Sequence, residues 1–436
     1  MLERKPGMEI KEAKQRVHQI IDGRRDKLVK TLGELVGIPS ITGQETEGQK
    51  YVSELYSKLG LKVVSLEADY EKVSKHRAFV ESGLDLKGRP NIIGTLEGEP
   101  SAKSLILNGH IDVVSPEPID QWDSSPWEAR IEGDKMYGRG AADMKCGLVA
   151  SYFALKTILE AGLKPKGTVM LQSVIEEELG GGGGTLACLL EGYTADGLVI
   201  PEPCKGITLA HPGINYFRVR VTGKTAHAGL AHMGVNAIGK MNKIYDALMA
   251  YGDKRTREVH YPLFDKASAM FDKNSGGVSC HLNIGTYQAG DWISSVAGWA
   301  ELGCRISYIP GETFEEIKQQ VEQVISDAAN RDEWMQQHPP EISWFGWKAD
   351  PWEQDPNDPL VVSFKSCTEE VLGREIEIIG ITAGQDNRFG QYFGIPSVSY
   401  GPSGGNFHGV NEYVELASVI DCTKILASFI IEWCGI

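Results

Sequence analysis

Gly138-Arg139-Gly140-Ala141-Ala142-Asp143-Met144-Lys145 is a tight, glycine-bearing connection lying between an apolar run, Ser104 to Leu107, and a helical stretch, Leu148 to Ile158. A second apolar run, Gly167 to Ile175, follows that helix. Strand, helix and strand in this order spell an α/β domain, in which ligands gather at the carboxyl ends of strands. The chemistry-bearing residues fall at those ends. Ser104 to Leu107 runs out at Asn108-Gly109-His110, Gly167 to Ile175 runs out at Glu176-Glu177-Glu178, and Glu202 and His408 lie further on. An aspartate held in a rigid turn can offer both carboxylate oxygens, one to each of two cations, and histidine and carboxylate ligands suit divalent metals.

The chain has 436 residues, more than a single core usually organises, so two domains are expected. Its hydrophobic fraction of 42% and charged fraction of 24% are those of an ordinary globular protein. A net charge of −15 opposes phosphate backbones and anionic membrane surfaces, which leaves a small molecule as the expected partner and argues against nucleic acid and membrane. No apolar run approaches the ~20 residues of a membrane helix, and Met1 to Arg25 is densely charged with no signal-like apolar core, which points to the cytoplasm. Eight cysteines are scattered without a Cys-x-x-Cys pair, the pattern of reduced thiols in cores. Cys146 and Cys204 lie close in sequence to proposed ligands; a buried small residue is the favoured reading of each, a thiol ligand the lesser one.

Apolar positions Val17, Ile20, Ile21, Leu28, Leu32 and Leu35 predict one helix from Glu9 to Val36, stopped by Gly37 and Pro39. From about His211 to Trp352 the texture changes. Phe217 to Val221 and Ala300 to Ile306 alternate as strands, Gly234 to Leu248 reads as a helix, and Thr313-Phe314-Glu315-Glu316 is a capping box opening another. A smaller α+β insert over 212–352 is therefore expected between two parts of the first domain, 1–211 and 353–436. Polar, proline-bearing Asp350 to Pro356 is read as the return hinge.

His110 and Asp112, two apart at a strand end, face the same side if the extended geometry continues, so the imidazole can bind a metal while Asp112 holds its other nitrogen. A strand-end pair that merely hydrogen-bonds is an equal alternative. Three adjacent glutamates repel, and on their own read as a solvated acidic turn; a dication reverses this, letting one carboxylate ligate while its neighbour faces the attacking water as base. The following run Gly180 to Gly184 lacks the Gly-Lys-Ser/Thr ending of a phosphate loop and reads as a permissive turn.

Together His110-Ile-Asp112, Gly138 through Lys145, Glu176-Glu-Glu178, Pro201-Glu202-Pro203 and Asn406-Phe-His408 resemble the ordered motifs of the co-catalytic zinc amidohydrolases, the family of acetylornithine deacetylase, succinyl-diaminopimelate desuccinylase, aminoacylase and glutamate carboxypeptidase. The resemblance runs from the first helix to Val414. It implies a mixed-sheet catalytic domain with flanking helices and an inserted α+β lid that forms a homodimer. It also implies two zinc ions, with cobalt or manganese as substitutes. By position one zinc takes His110 and Glu202, the other Glu178 and His408, and Asp143 bridges; a cis peptide is implied at Asp143-Met144.

Glu177 is implied as general acid/base, with Asp112 supporting the site. His227, in Gly223-Lys-Thr-Ala-His-Ala-Gly229, matches the lid histidine that reaches the partner's active site; without the resemblance it is a surface histidine. The helix from Gly234 is then part of a dimer surface, or serves the insert's own core. Arg305, on the polar face of its strand, matches an arginine that meets the substrate's carboxylate, with a solvated sheet-face arginine as the alternative. Arg388 is a second carboxylate candidate, and Asn406 is placed with the substrate contacts. Ser294-Ser295 replaces the asparagine that usually precedes a Val-Pro pair, and Gly384 stands where the desuccinylase has a hydroxyl residue. Glutamate at position 202 points to deacylases and carboxypeptidases. The function implied is hydrolysis of an N-acyl amino acid or similar carboxylate-bearing amide, with a dipeptidase or carboxypeptidase, or a non-catalytic scaffold, as alternatives.

Overall fold

The structure is a computed structural model that describes residues 6–436, so the first five residues of the charged N-terminal stretch lie outside the described residues. The described residues divide into two compact units, one of residues 6–209, 354–378 and 385–436 and the other of residues 210–353 and 379–384.

The first unit is built on an eight-stranded mixed sheet. From Lys62–Leu66 at one edge, the order runs through Asn91–Leu96, Val169–Val174, Leu105–His110, Leu198–Pro203 and Ser397–Gly401 to Ile207–Thr208 and Ile378–Ile379. Val169–Val174, Leu105–His110, Leu198–Pro203 and Ser397–Gly401 are mutually parallel, so their carboxyl ends open on one edge. Val169–Val174 and Leu105–His110 are buried at every position, as strands covered on both faces must be. Two helices, Cys146–Glu160 and Leu416–Cys434, pack against each other and are apolar nearly all round, the mark of elements inside a core.

The long helix expected from Glu9 to Val36 is two, Pro6–Gly23 and Arg25–Val36. Arg24 leaves helical geometry (φ −108°, ψ 5°) immediately after Gly23, where the helix propensity is weakest. The apolar period continues across the break, which is why the interruption does not show in the pattern.

In the second unit four antiparallel strands run in the order Leu282–Ala289, Trp299–Tyr308, Gly213–Thr222, Glu341–Ala349. Phe217, Val219, Val221, Leu302 and Ile306 face one way and pack on Met241, Ile244 and Leu248 of helix Ala237–Glu258 and Ile317, Val321 and Ile325 of helix Phe314–Ala329. The capping box at Thr313 is formed, with the Thr313 Oγ1 accepting from the Glu316 amide and the Glu316 carboxylate accepting from the Thr313 amide. Trp352–Glu353 pairs with Ala210–His211 at the base of the unit. Residues 379–384 group with this unit rather than with the 353–436 stretch, a second crossing that the sequence reading lacked: the Ile381 amide bonds the Ala210 carbonyl and the Gly380 amide the Leu263 carbonyl. Among the described residues no helix is long and apolar enough to cross a membrane.

Candidate metal centre

The four parallel strands of the first unit deliver the site. Leu105–His110 ends on His110, Val169–Val174 leads into Glu176-Glu177-Glu178, Leu198–Pro203 carries Glu202, and the loop after Ser397–Gly401 carries His408. Asp143 comes from the turn before helix Cys146–Glu160. Gly140 opens that turn at φ +77°, and a Cβ there would lie 2.5 Å from Val113 Cγ1, so only glycine fits. The Asp143-Met144 peptide is cis.

These side chains converge. Asp143 Oδ1 lies 3.2 Å from His110 Nε2, and Asp143 Oδ2 lies 3.3 Å from His408 Nε2. The same His408 nitrogen is 3.0 Å from Glu178 Oε2. Ligand atoms of His110, Asp143 and Glu178 all fall within 4.8 Å of one another. Glu177 Oε2 stands 3.9 Å from His110 Nε2. Two buried carboxylate oxygens here, Glu177 Oε1 and Glu202 Oε2, have no hydrogen-bond partner. An unpartnered buried carboxylate oxygen costs free energy unless a cation or proton meets it, so the donor set fits divalent metal.

The electrostatics agree. Burial, then the charge of Glu202, pushes the Glu177 carboxyl well above the ordinary range. Burial, then the charge of Asp143, lifts Glu202 to about 8. Contacts with Asp143 and Glu178 raise His408 to about 10. Burial opposes ionisation of His110, but Asp143, Glu177 and Asp112 more than offset it and hold its pKa well above the usual imidazole value. Anions crowded together and histidines driven cationic describe a cluster short of positive charge.

Asp112 does a different job from the one expected. His110 Nδ1 lies 2.8 Å from the backbone carbonyl of Asp112, whereas the Asp112 carboxylate stays 3.6 Å away. That carboxylate accepts the amide N–H groups of Glu177 and Glu178, at 3.3 Å each, and the Thr42 hydroxyl at 3.0 Å. It therefore orients the glutamate turn, while the main chain fixes the imidazole. Glu176 points away from the cluster at φ +64°, accepting from Arg89 Nη1 at 2.6 Å and from the Gly183 amide at 3.2 Å. Gly181, at φ +64°, would place a Cβ 2.3 Å from Asp386 Oδ1, so the glycine run serves close packing beneath the glutamates.

Arg388, expected to meet the substrate's carboxylate, is instead locked inside the first unit. Its side chain is fully buried, donating to the Gln385 carbonyl at 3.2 Å and to the Gly180 carbonyl, with Asp386 Oδ1 at 3.6 Å. A guanidinium engaged in this way is structural, not a receptor for substrate. Asn406 is exposed, at φ +57°, and donates Nδ2 to the Asn411 carbonyl at 3.1 Å. Cys146 Sγ and Cys204 Sγ donate to the carbonyls of Ala142 and Glu202, so both read as thiols.

His227 and Arg305 belong to the second unit. His227 is exposed, and its Nδ1 accepts from the Gly229 amide at 3.1 Å, which leaves the proton on Nε2 as a free donor. Arg305 lines a cavity of about 470 Å³ on the open face of the four-stranded sheet with Tyr216, Arg218, Asn283, Thr286 and Phe345; its Nη2 donates to the Thr382 carbonyl at 3.3 Å.

Glu412 and Arg139 fall within sequence motifs but gain a role only from the structure. Glu412 Oε1 accepts the amides of Ala142 and Asp143 at 3.0 Å each, and Oε2 accepts the Gly140 amide at 3.1 Å and Arg139 Nη1 at 2.6 Å. An acid that works through backbone N–H groups leaves no spacing signature; the available signals were its nearness to His408 and the resemblance of the stretch Gly401 through Glu412 to the desuccinylase.

Residues 106–432 match the family model described as Peptidase family M20/M25/M40. The chain is 31% identical over 366 residues to N-formyl-4-amino-5-aminomethyl-2-methylpyrimidine deformylase of Halalkalibacterium halodurans, covering 79% of this chain and 83% of that protein. It is 32% identical over 294 residues to a probable succinyl-diaminopimelate desuccinylase of Staphylococcus aureus, covering 66% of each. Its fold is similar to that of an M20 family metallo-carboxypeptidase from Sulfolobus solfataricus, with a TM-score of 0.73, 20% identity, and 94% of this chain and 99% of that one covered.

Proposed function

The chain belongs to peptidase family M20/M25/M40 and is a metal-dependent amide hydrolase, and we propose that it removes a short acyl group, formyl foremost, from an amide nitrogen at a dinuclear centre. The observation that carries the two-metal reading is the splay of Asp143, whose two oxygens face different histidines. His110 and Glu202 would hold one ion, Glu178 and His408 the other, with Asp143 shared. Zinc is the metal proposed here, with cobalt and manganese able to replace it. Such ions supply Lewis acidity to the scissile carbonyl and make hydroxide accessible near neutral pH.

The chain's own groups do the rest. Glu177, with one oxygen unpartnered, takes the proton of the attacking water and passes it to the departing amine. Asp112 keeps Glu177 and Glu178 in register through their amides. His227 offers Nε2–H to the oxyanion of the tetrahedral intermediate, supplied by a second copy of the chain. A homodimer through the second unit is supported by its exposed apolar side chains, Ile293 at 93%, Trp292 at 68% and Met233 at 58%. Eight cysteines left unpaired in disulfides favour the cytoplasm.

Formyl is favoured because the relative aligned over most of both chains is named a deformylase. A carboxylate on the amine half is favoured by Arg305 in its sheet-face cavity, with an aminomethylpyrimidine as the second reading on the strength of that relative's name. A panel of N-formyl, N-acetyl and N-succinyl amino acids, an N-formyl aminomethylpyrimidine and dipeptides, offered to zinc-loaded protein, decides among these. Turnover of the formyl amides above the rest supports the assignment; turnover of dipeptides alone sinks it.

A further inference from the structure

A small four-stranded sheet sets two ligand-bearing segments side by side. Tyr413–Glu415 pairs with Gly404–Gly405 on one side and with Lys135–Tyr137 on the other. The turn leading to Asp143 and the loop bearing His408 therefore leave adjacent strands. One buried ion pair joins them. Glu412 and Arg139 are 0% and 1% exposed, with Glu412 Oε2 2.6 Å from Arg139 Nη1. Glu412 gathers the amides of Gly140, Ala142 and Asp143, and Arg139 Nη2 reaches the His408 carbonyl at 3.1 Å and the Ser115 carbonyl at 3.3 Å.

The loop needs that tie. His408 sits at φ +59°, with Asn406 at +57° and Asn411 at +53°, a left-handed geometry that non-glycine residues keep only when surrounding bonds hold it. His110 and Glu202, by contrast, are set by strands of the central sheet.

We propose that Arg139 and Glu412 are positioning residues that lock the Asp143 turn to the His408 loop, so that the cation taking Glu178 and His408 depends on their ion pair more than the cation taking His110 and Glu202 does. The proposal rests on the dinuclear reading. Supporting groups behind metal ligands commonly set affinity by 10–100-fold, roughly the scale expected here.

The test uses the full chain, stripped by chelation and titrated with cobalt(II), followed by calorimetry and visible absorption. Glu412→Gln keeps the shape but turns an NH₂ toward donors. Arg139→Lys keeps the charge but replaces the planar fork, whose two terminal nitrogens serve Glu412 and the His408 carbonyl separately, with a single ammonium nitrogen. Each variant is expected to take its first cation as the wild type does and its second about 10–100-fold more weakly. Equal weakening of both sites, or none, overturns the pair's role. A measurement without any variant guards against misfolding: in wild-type hydrogen exchange, the second cation should protect the amides of Gly140, Ala142 and Asp143 together with residues 406–411, and protection of only one segment overturns the coupling. A wild type that takes fewer than two cations contradicts the dinuclear reading itself.

Discussion

At the scale of single residues, Asp143 and Glu177 divide the work between holding charge and moving a proton. Glu177→Gln keeps the size of the side chain and removes its basicity. It is expected to lower turnover by about 10²–10⁴ while metal content stays at the wild-type level, as rates and elemental analysis of one preparation would show. His227→Ala should behave likewise; a loss of metal in either variant would point to a ligand rather than a proton or oxyanion partner. The convergence of His110, Asp143 and Glu178 was legible because His110 closes Leu105–His110, Glu178 follows Val169–Val174 and Asp143 sits in a glycine turn, whereas the ligand roles of Glu202 and His408 rested on the family resemblance. Roles that depend on the third dimension were not legible. Arg388 looks like any arginine near a motif until its burial is seen, and Asp112 holds backbone N–H groups that no spacing rule reveals.

Elements are fixed by their ends as much as by their faces. Asp332 caps the helix Glu333–Gln337 by accepting from the amides of Trp334 and Met335, and pairs with Lys240 at 2.9 Å and Lys243 at 2.7 Å. Burial would raise its pKa, but the two ammonium groups more than offset it and hold the carboxyl well below the usual range. A depressed folded-state pKa stabilises above the unfolded value of about 3.9 and loses that contribution as pH falls below it. Asn caps a helix as well as Asp does, so Asp332→Asn removes the ion pairs with Lys240 and Lys243 and is expected to cost up to about 1 kcal/mol at pH 7, a difference that shrinks as the pH drops below about 4. Chemical unfolding at both pH values checks it, and a difference independent of pH contradicts the ion-pair account. Faces were easier to read than ends. Val219 and Leu302 announce a one-sided sheet by alternation, and the Thr313 box announces its helix, whereas the break at Arg24 interrupts no apolar period.

For the whole molecule, the α/β sheet with its helices follows from alternating strand and helix signals, and the second unit from the change of texture after His211. Residues 379–384 could not be assigned that way, because a six-residue excursion carries no pattern and is fixed by its bonds to Ala210, Leu263 and Arg305. If the second unit mediates a homodimer, the wild type should sediment at twice the 47.8 kDa of one chain, and Ile293→Glu combined with Trp292→Glu should give a monomer; a monomeric wild type contradicts it. The central claim is that one aspartate serves two metals. A crystal structure of the zinc-loaded protein tests it most directly: the account predicts two ions about 3.5–4 Å apart with Asp143 bound to both, and a structure in which Asp143 meets only one ion, or none, would contradict it.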